Sequence, residues 1–199
     1  MTLRRLAAML AALALCASAA HAQAPAMPDK MPPLRGPDSP APLQPGDAFG
    51  AEITLPQQTI VYINARSDWD SAFDSIVDAF KSLNEYFAKQ GLKATGPAMI
   101  IYTETDDTGF RFRAAFPVAA PPQNPPKGDI AVGEAPSGKA LKFVHRGSYD
   151  AMDSTYEAIT NYLDDKQLEA KDLFIEQYVS DPTTTDRDKL VVNVLVPIK

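Results

Sequence analysis

The sequence predicts an α+β fold built from two tandem β-α-β-β units related by a pseudo-twofold axis. One observation is a repeat: residues 66–70 resemble residues 146–150, eighty positions later, and residues 116–118 resemble 196–198 at the same offset. A second is that strand-like and helix-like patterns follow in the same order in both halves. Two copies are too few for a solenoid. We therefore expect antiparallel sheets packed by two helices around a ligand groove between the halves.

Short apolar or alternating stretches predict the strands of both units. The first unit covers about residues 52–118 and the second about residues 130–199. The predicted strands are 59–65, 99–102 and 110–116 in the first unit, and 140–145, 173–179 and 190–196 in the second, with a further short strand over 129–134.

Two segments have the three- and four-residue apolar spacing of an amphipathic helix. The first runs from Trp69 to Phe87, with Ser67 or Asp68 as its N-cap and Gly91 at its end, and the second covers residues 152–163. Such helices cover one face of a sheet in a two-layer fold. Both apolar stripes are interpreted as ordinary core.

The first 22 residues have the features of a secretory signal peptide. Arg4 and Arg5 precede an apolar stretch that is too short to span a membrane stably, and small residues predict cleavage after Ala22. We therefore expect a soluble periplasmic protein without an integral membrane span. The alternative is a lipoprotein anchored at Cys16, although the leucine before this cysteine fits such a motif poorly.

Residues 23–50 are expected to form a proline-rich disordered linker. Eight prolines fall before Gly46, and such a segment buries too little apolar surface to offset the entropy of ordering it. The 51–199 domain is then a monomeric core, and deletion of residues 23–47 is expected to change its thermal stability only slightly, whereas a loss of several degrees would mean that the segment packs on the domain.

Composition excludes several function classes. Cleavage removes Cys16, the single cysteine, so the mature chain has no disulfide, no thiolate metal site and no cysteine nucleophile. The net charge of −6 becomes about −8 without the two leader arginines. With no basic block, no nucleic-acid partner is expected, and the acidic chain would attract a cationic small-molecule ligand. Because His145 is the sole remaining histidine, no metal or haem cofactor is expected.

Three motifs in the second half come in a recognisable order: His145-Arg146-Gly147-Ser148-Tyr149, the stretch from Glu176 to Pro182, and the closing Val194-Leu195-Val196-Pro197-Ile198. Together they resemble the GyrI-like small-molecule-binding family, also called the AraC-type bacterial effector-binding domain family. The resemblance covers about residues 52–199 and is strongest in the second half.

The resemblance implies a groove that holds aromatic, often cationic molecules beside a buried glutamate, whose position here is Glu176. The first half departs from the motif, because Trp69 stands where the second half has Tyr149, and Ser67 stands where it has Gly147. No helix-turn-helix segment precedes the domain in this exported chain, so neither transcriptional regulation nor gyrase inhibition is expected.

Glu176 is the strongest single candidate for a binding residue. It lies in an apolar strand, where loss of water raises the pKa of a carboxyl group unless a cation or donor compensates. Such a group favours a cationic aromatic guest, assisted by neighbouring rings. The structural alternative is an edge-strand glutamate paired with Lys142 or Arg146. Tyr178 lies two residues away and so shares its strand face.

Three further aromatic residues are candidates for the ligand pocket. Tyr149 and Trp69 occupy equivalent positions at the two helix starts, so a pseudo-twofold axis would bring them to opposite ends of one groove. Tyr102 corresponds to Tyr178 in the repeat. Each is alternatively a core aromatic residue with its polar end in water.

Three functions are compatible with these residues. We expect periplasmic binding or sequestration of a small amphipathic molecule, with Glu176 as its charge partner. The first alternative is a hydrolase like some GyrI-like relatives, acting on a small electrophile with Glu176 as general base and Tyr178 or Tyr149 as acid. The second is a peptide-interaction module that uses the same groove.

Overall fold

The computed structural model describes residues 41–124 and 126–199. The predicted signal peptide, the alternative lipidation site at Cys16 and most of the predicted linker lie outside these residues. The described chain forms strands and two helices, which confirms the α+β class. In chain order the elements are β1 (Phe49–Leu55), β2 (Thr59–Asp68), α1 (Ala72–Gln90), β3 (Ala98–Asp106), β4 (Gly109–Pro117), β5 (Ile130–Glu134), β6 (Gly138–Gly147), a 3-10 turn (Tyr149–Ala151), α2 (Met152–Lys166), β7 (Phe174–Tyr178) and β8 (Leu190–Pro197).

All eight strands belong to one continuous antiparallel sheet, in the order β1-β6-β8-β7-β3-β4-β2-β5. The predicted units therefore share a sheet and meet where β7 pairs with β3. Corresponding strands lie at equal distances from this central pair. Each unit also lends its leading strand to the other, because β1 pairs with β6 and β5 pairs with β2. The internal duplication itself stays a prediction from the sequence.

The predicted stripe of α1 is buried, but the helix begins later than expected. The prediction of Ser67 or Asp68 as N-cap is wrong, because β2 continues to Asp68 in register with β4. Ser71 is the N-cap, and Asp68 contributes by accepting a hydrogen bond of 2.8 Å from its N–H. Gly91 ends the helix as predicted, with φ of +64°, a conformation that favours glycine.

Both helices pack on the same face of the sheet. The main core lies between them and this face and includes Ile76 of α1 and Ile159 of α2. Full burial of such a side chain stabilises the fold by about 1.5–3 kcal/mol. A smaller apolar cluster lies on the opposite face around Met99 and Ile175. The face of β4 that points away from the helices is therefore exposed at Arg111 but buried at Ala115.

The end of the predicted linker packs against the domain. Two nitrogens of Arg146 donate hydrogen bonds of 2.7 and 2.8 Å to the carboxylate of Asp47. This contact lowers the pKa of Asp47 to about 2. Phe49 begins β1, which the sequence analysis did not predict, and its ring lies 5.1 Å from that of Phe143. The linker prediction for residues 23–50 therefore does not hold at its C-terminal end.

Candidate functional site

The buried carboxylate of Glu176 lies at the centre of the sheet, on β7. The residue is only 1% exposed, and its strand lies between β3 and β8. The alternative of an edge-strand glutamate is therefore wrong. Arg146, one of the partners proposed for it, forms its ion pair with Asp47 instead.

Three tyrosine hydroxyls donate hydrogen bonds to this carboxylate. Tyr102 of β3 and Tyr156 of α2 donate to Oε1, at 2.9 and 2.8 Å. Tyr178 donates to Oε2 at 2.8 Å, from the strand face that it shares with Glu176. We call Tyr102, Tyr156 and Tyr178 the tyrosine cage. Its hydroxyls come from three separate elements, so the fold must be complete before the carboxylate has its partners.

Burial dominates the electrostatics of the cage. It raises the pKa of Glu176 above 4.5, because the charged form loses its hydration, and the three tyrosine hydrogen bonds only partly offset this effect. Burial, followed by the neighbouring glutamate charge, raises the pKa of each cage tyrosine well above 10. All three hydroxyls are therefore protonated donors at neutral pH.

Tyr149 lies in the 3-10 turn just before α2, where the charge of Glu176 acts on its hydroxyl. It is buried, and both burial and the charge of Glu176 raise its pKa well above 10. Its ring lies 4.9 Å from the ring of Phe73 on α1. This pair of aromatic rings therefore brings the starts of the two helices together.

His145 and Gly147 hold the turn that positions Tyr149. The His145 Nε2–H donates to the carbonyl oxygen of Ser148 at 3.0 Å, so Nδ1 accepts from the hydroxyl of Thr155 at 2.7 Å. Burial lowers the pKa of this histidine. Gly147 has φ of +113°, which a residue with a side chain rarely adopts. The motif thus has a structural role here.

Trp69 lies beside the cage without bonding to Glu176. Its ring centroid is 4.8 Å from that of Phe110, which lies 5.3 Å from Tyr102 of the cage. The indole N–H of Trp69 donates to the backbone oxygen of Asp106 at 2.9 Å. Trp69 therefore extends the aromatic surface of the site through Phe110.

The cationic side chain of Arg187 lies over the rings of Phe73 and Tyr149. The guanidinium carbon of Arg187, in the loop between β7 and β8, lies 5.3 Å from the Phe73 ring and 5.9 Å from the Tyr149 ring. Arg187 also forms an ion pair with Asp150. The geometry shows that this aromatic pair accepts a positive charge, a feature that the sequence analysis did not predict.

Tyr156 is the cage residue that the sequence analysis missed. Its position in the apolar stripe of α2 predicts an ordinary core residue, yet its hydroxyl bonds to Glu176. The available signal was chemical: a tyrosine on a helix face that packs on the core needs a partner for its O–H.

A polar groove of about 540 Å³ opens at the end of β2, beside the start of α1. Arg66, Asp68, Glu104 and other polar residues line it, together with Phe110. None of the five predicted site residues is part of the lining. The groove therefore reaches the cage only through Phe110.

Over residues 41–124 and 126–199, no helix is long and apolar enough to cross a membrane. Within the same ranges, no group of three or more histidine, cysteine or acidic side chains has an arrangement suited to a metal ion.

The model of the GyrI-like small molecule binding domain matches residues 51–199. No curated protein sequence matches the chain significantly. The crystal structure of the EcmrR C-terminal domain aligns with a TM-score of 0.65 at 17% identity, covering 76% of this chain and 98% of that one. In the EcmrR–DNA complex, the match spans 57% of the length of the EcmrR chain.

Two further solved structures have the same fold. SAV2435 bound to tetraphenylphosphonium aligns with a TM-score of 0.52 at 18% identity, covering 76% of this chain and 94% of that one. A hydrolase from Listeria innocua aligns with a TM-score of 0.55 at 11% identity, covering 77% of this chain and 93% of that one. At these identities the likeness shows the fold alone.

Proposed function

This chain belongs to the GyrI-like small-molecule-binding family, and we propose that it binds and sequesters a small aromatic cation beside Glu176 in the periplasm. The observation that carries the proposal is the state of the carboxylate. It is buried and accepts hydrogen bonds from three neutral hydroxyls, but it forms no ion pair within the described residues.

A cationic guest would supply the charge that the cage lacks. Burying a carboxylate without a cation is costly, and tyrosine hydrogen bonds recover only part of the lost hydration. The aromatic rings around the site would hold the same guest by cation–π contacts. Arg187 illustrates this chemistry, since its guanidinium lies over Phe73 and Tyr149.

Binding requires the cage to open. Glu176 is closed off from solvent, whereas Tyr156 is only half-buried and lies on α2 rather than on the sheet. We therefore propose that rotation of the Tyr156 side chain admits the guest, and that the guest cation replaces its hydrogen bond to Oε1. Tyr102 and Tyr178, which lie on central strands, would remain in place.

Two further considerations support the ligand class and the location. The structure of SAV2435 contains tetraphenylphosphonium, an aromatic cation. The sequence resemblance to multidrug sensors of the family points to the same class. The periplasmic location rests on the predicted signal peptide, whose cleavage after Ala22 can be checked by mass spectrometry of the exported protein.

Paired probes of equal shape and opposite charge test the proposal. We expect calorimetry to show that tetraphenylphosphonium binds at least tenfold more tightly than tetraphenylborate. Because the acidic protein repels any anion at long range, the titrations are repeated at high salt, where long-range interactions are screened and a buried ion pair is screened less. Equal affinity for the two ions at high salt would contradict the proposal.

The same geometry disfavours the hydrolase alternative. A general acid with a pKa well above 10 gives up its proton poorly, and this applies to both Tyr178 and Tyr149. Both oxygens of Glu176 also already accept hydrogen bonds. Turnover of a nitrophenyl ester that is lost in Glu176→Gln would reinstate the enzyme. Peptide binding without affinity for small cations would favour an interaction module.

A further inference from the structure

Asp153 is a second acidic side chain close to the cage, in the first turn of α2. Its Oδ1 atom is buried and has no hydrogen-bond partner within the described residues. Asp153 and Tyr156 are three residues apart, which places them on one side of α2. Tyr156 bonds to the Glu176 carboxylate, and Tyr149 lies in the 3-10 turn just before the helix.

The charges of Asp153 and Glu176 act on the same two tyrosines. Asp153 lies one helical turn before Tyr156, whose hydroxyl bonds to Glu176. In keeping with this position, each carboxylate raises the pKa of Tyr149 and of Tyr156. Burial, and then repulsion from Asp150, raises the pKa of Asp153 to about 6. No ion pair of the described residues includes Asp153 or Glu176, whereas Asp150 is paired with Arg187.

The position of Asp153 in the helix does not by itself account for its burial. An acidic residue in the first turn interacts favourably with the helix dipole, by about 0.3–1 kcal/mol at exposed sites. An exposed side chain would gain this benefit without losing hydration. Here one oxygen is buried without a donor, which is unfavourable unless something else contacts it. A cationic group of a bound guest is the simplest partner for this oxygen, in addition to the one that Glu176 would hold.

We propose that Asp153 is a second anionic contact of the guest site, which makes the site selective for molecules with two cationic groups joined by an apolar or aromatic spacer. The inference rests on the proposed function, because it assumes that a cationic guest binds beside Glu176. A single cationic group would neutralise one carboxylate, and a second group would neutralise the other.

The test compares a bis-quinolinium compound, with two quinolinium rings joined by an alkyl chain, with the mono-quinolinium compound that has the same chain. Calorimetry is performed on the wild type, Asp153→Asn, Glu176→Gln and Asp164→Asn. Asp164 is an exposed acid near the other end of α2, so its variant makes the same change in net charge away from the site.

We expect the dication to bind the wild type at least tenfold more tightly than the monocation. Asp153→Asn should remove most of this difference and change monocation affinity less than twofold, while Asp164→Asn changes neither. An equal loss for both probes in Asp153→Asn, or no loss for either, would overturn the inference. If Glu176→Gln leaves monocation binding intact, the proposed function fails instead.

The pH profile adds a second measurement. Between pH 7 and pH 5, the affinity of the wild type for the dication should fall more than its affinity for the monocation. This additional fall, the excess, should vanish in Asp153→Asn. The monocation reports the titration of Glu176, and the tyrosines do not titrate in this range. Asp153→Ser replaces the asparagine variant if the latter fails to fold, and an identical excess in either variant would exclude Asp153 from the site.

Discussion

The two halves of the sheet place opposite chemistry at the same central position. Ile100 of β3 and Glu176 of β7 are paired in register, and their exposed fractions are 0% and 1%. On the helices, Ile76 of α1 and Tyr156 of α2 correspond at the eighty-residue offset of the repeat. At both positions the first half has an apolar side chain and the second half has a polar one.

This difference distinguishes the elements that both halves share from the residues that form the candidate site. Both halves have the same strands and a helix on the same face, yet the charged centre and most of its donors lie in the second half. The first half contributes apolar walls and one donor, Tyr102. The candidate site therefore depends on polar residues that the two halves do not share.

The largest effect is expected when the first half is made to resemble the second. Ile100→Glu would bury a second carboxylate beside Glu176 without donors of its own, and should lower the free energy of unfolding at pH 7 by about 3–5 kcal/mol. The loss should shrink at pH 5, because protonation removes the charge. Urea unfolding measures it, with Ile100→Val as a control expected to cost about 0.5–1.5 kcal/mol. If Ile100→Glu lowers the free energy of unfolding at pH 7 by no more than Ile100→Val does, this account is contradicted.

Removal of a cage hydroxyl is expected to have the next largest effect. Tyr156→Phe takes one donor from a buried carboxylate and should lower the free energy of unfolding by about 1–2 kcal/mol, near the lower end for hydrogen bonds to charged groups. The matched control is Tyr86→Phe in α1, because the buried hydroxyl of Tyr86 has no partner in the described residues. That variant should be neutral or slightly more stable. Equal losses in the two variants would show that the hydrogen bond contributes nothing.

The pH dependence of stability isolates Glu176 itself. Its pKa is higher in the folded protein than in the unfolded chain. The contribution of Glu176 titration to the free energy of unfolding is therefore fully present below the pKa that Glu176 has in the unfolded chain. It is lost as pH rises through the pKa of the folded protein. Glu176→Gln cannot titrate, so its stability relative to the wild type should increase with pH, by at most ~1.4 kcal/mol per pH unit. Chemical unfolding from pH 4 to pH 8 measures this slope, and a slope of zero or of opposite sign would refute the burial argument. Glu157→Gln, at an exposed position of α2, is the control.

The smallest effect concerns the segment before β1. A protein that begins at Phe49 loses Asp47, and its melting temperature should fall by a few degrees relative to one that begins at Ala41. Asp47→Asn in the longer protein should reproduce most of the loss. Because the pKa of Asp47 is lowered to about 2, the stability from its contact with Arg146 is present above pH 3.8 and is lost as pH falls toward 2. Equal melting temperatures for the two lengths would restore the linker prediction for this segment.

Periodic patterns made most of the fold predictable from the sequence. Strand alternation and the helical stripes identified seven strands and both helices, because each pattern is local. β1 was missed because Phe49–Leu55 follows a proline-rich stretch and pairs with β6, which lies some ninety residues away. The cap of α1 was misplaced because pairing with β4 extends β2 further than its β-branched residues indicate.

The site was less predictable than the fold. Glu176 and Tyr178 were linked because residues two apart in a strand share a face, and Tyr102 followed from the repeat. The roles of Tyr156 and Asp153 depend on how α2 packs over the sheet, which helical periodicity alone does not specify. Nor does periodicity show that Arg187 lies over Phe73 and Tyr149, since it belongs to a loop.

The central claim is that the buried carboxylate of Glu176 is the charge partner of a cationic guest. Its most direct test is calorimetric titration of tetraphenylphosphonium into the wild type and Glu176→Gln at fixed ionic strength, with Glu157→Gln as a control of equal net charge. We predict that Glu176→Gln weakens binding by ~2–5 kcal/mol, the range for truncating one partner of a buried charge pair, while Glu157→Gln leaves it unchanged. A loss of only ~0–1 kcal/mol, typical of an exposed ion pair, would contradict the claim.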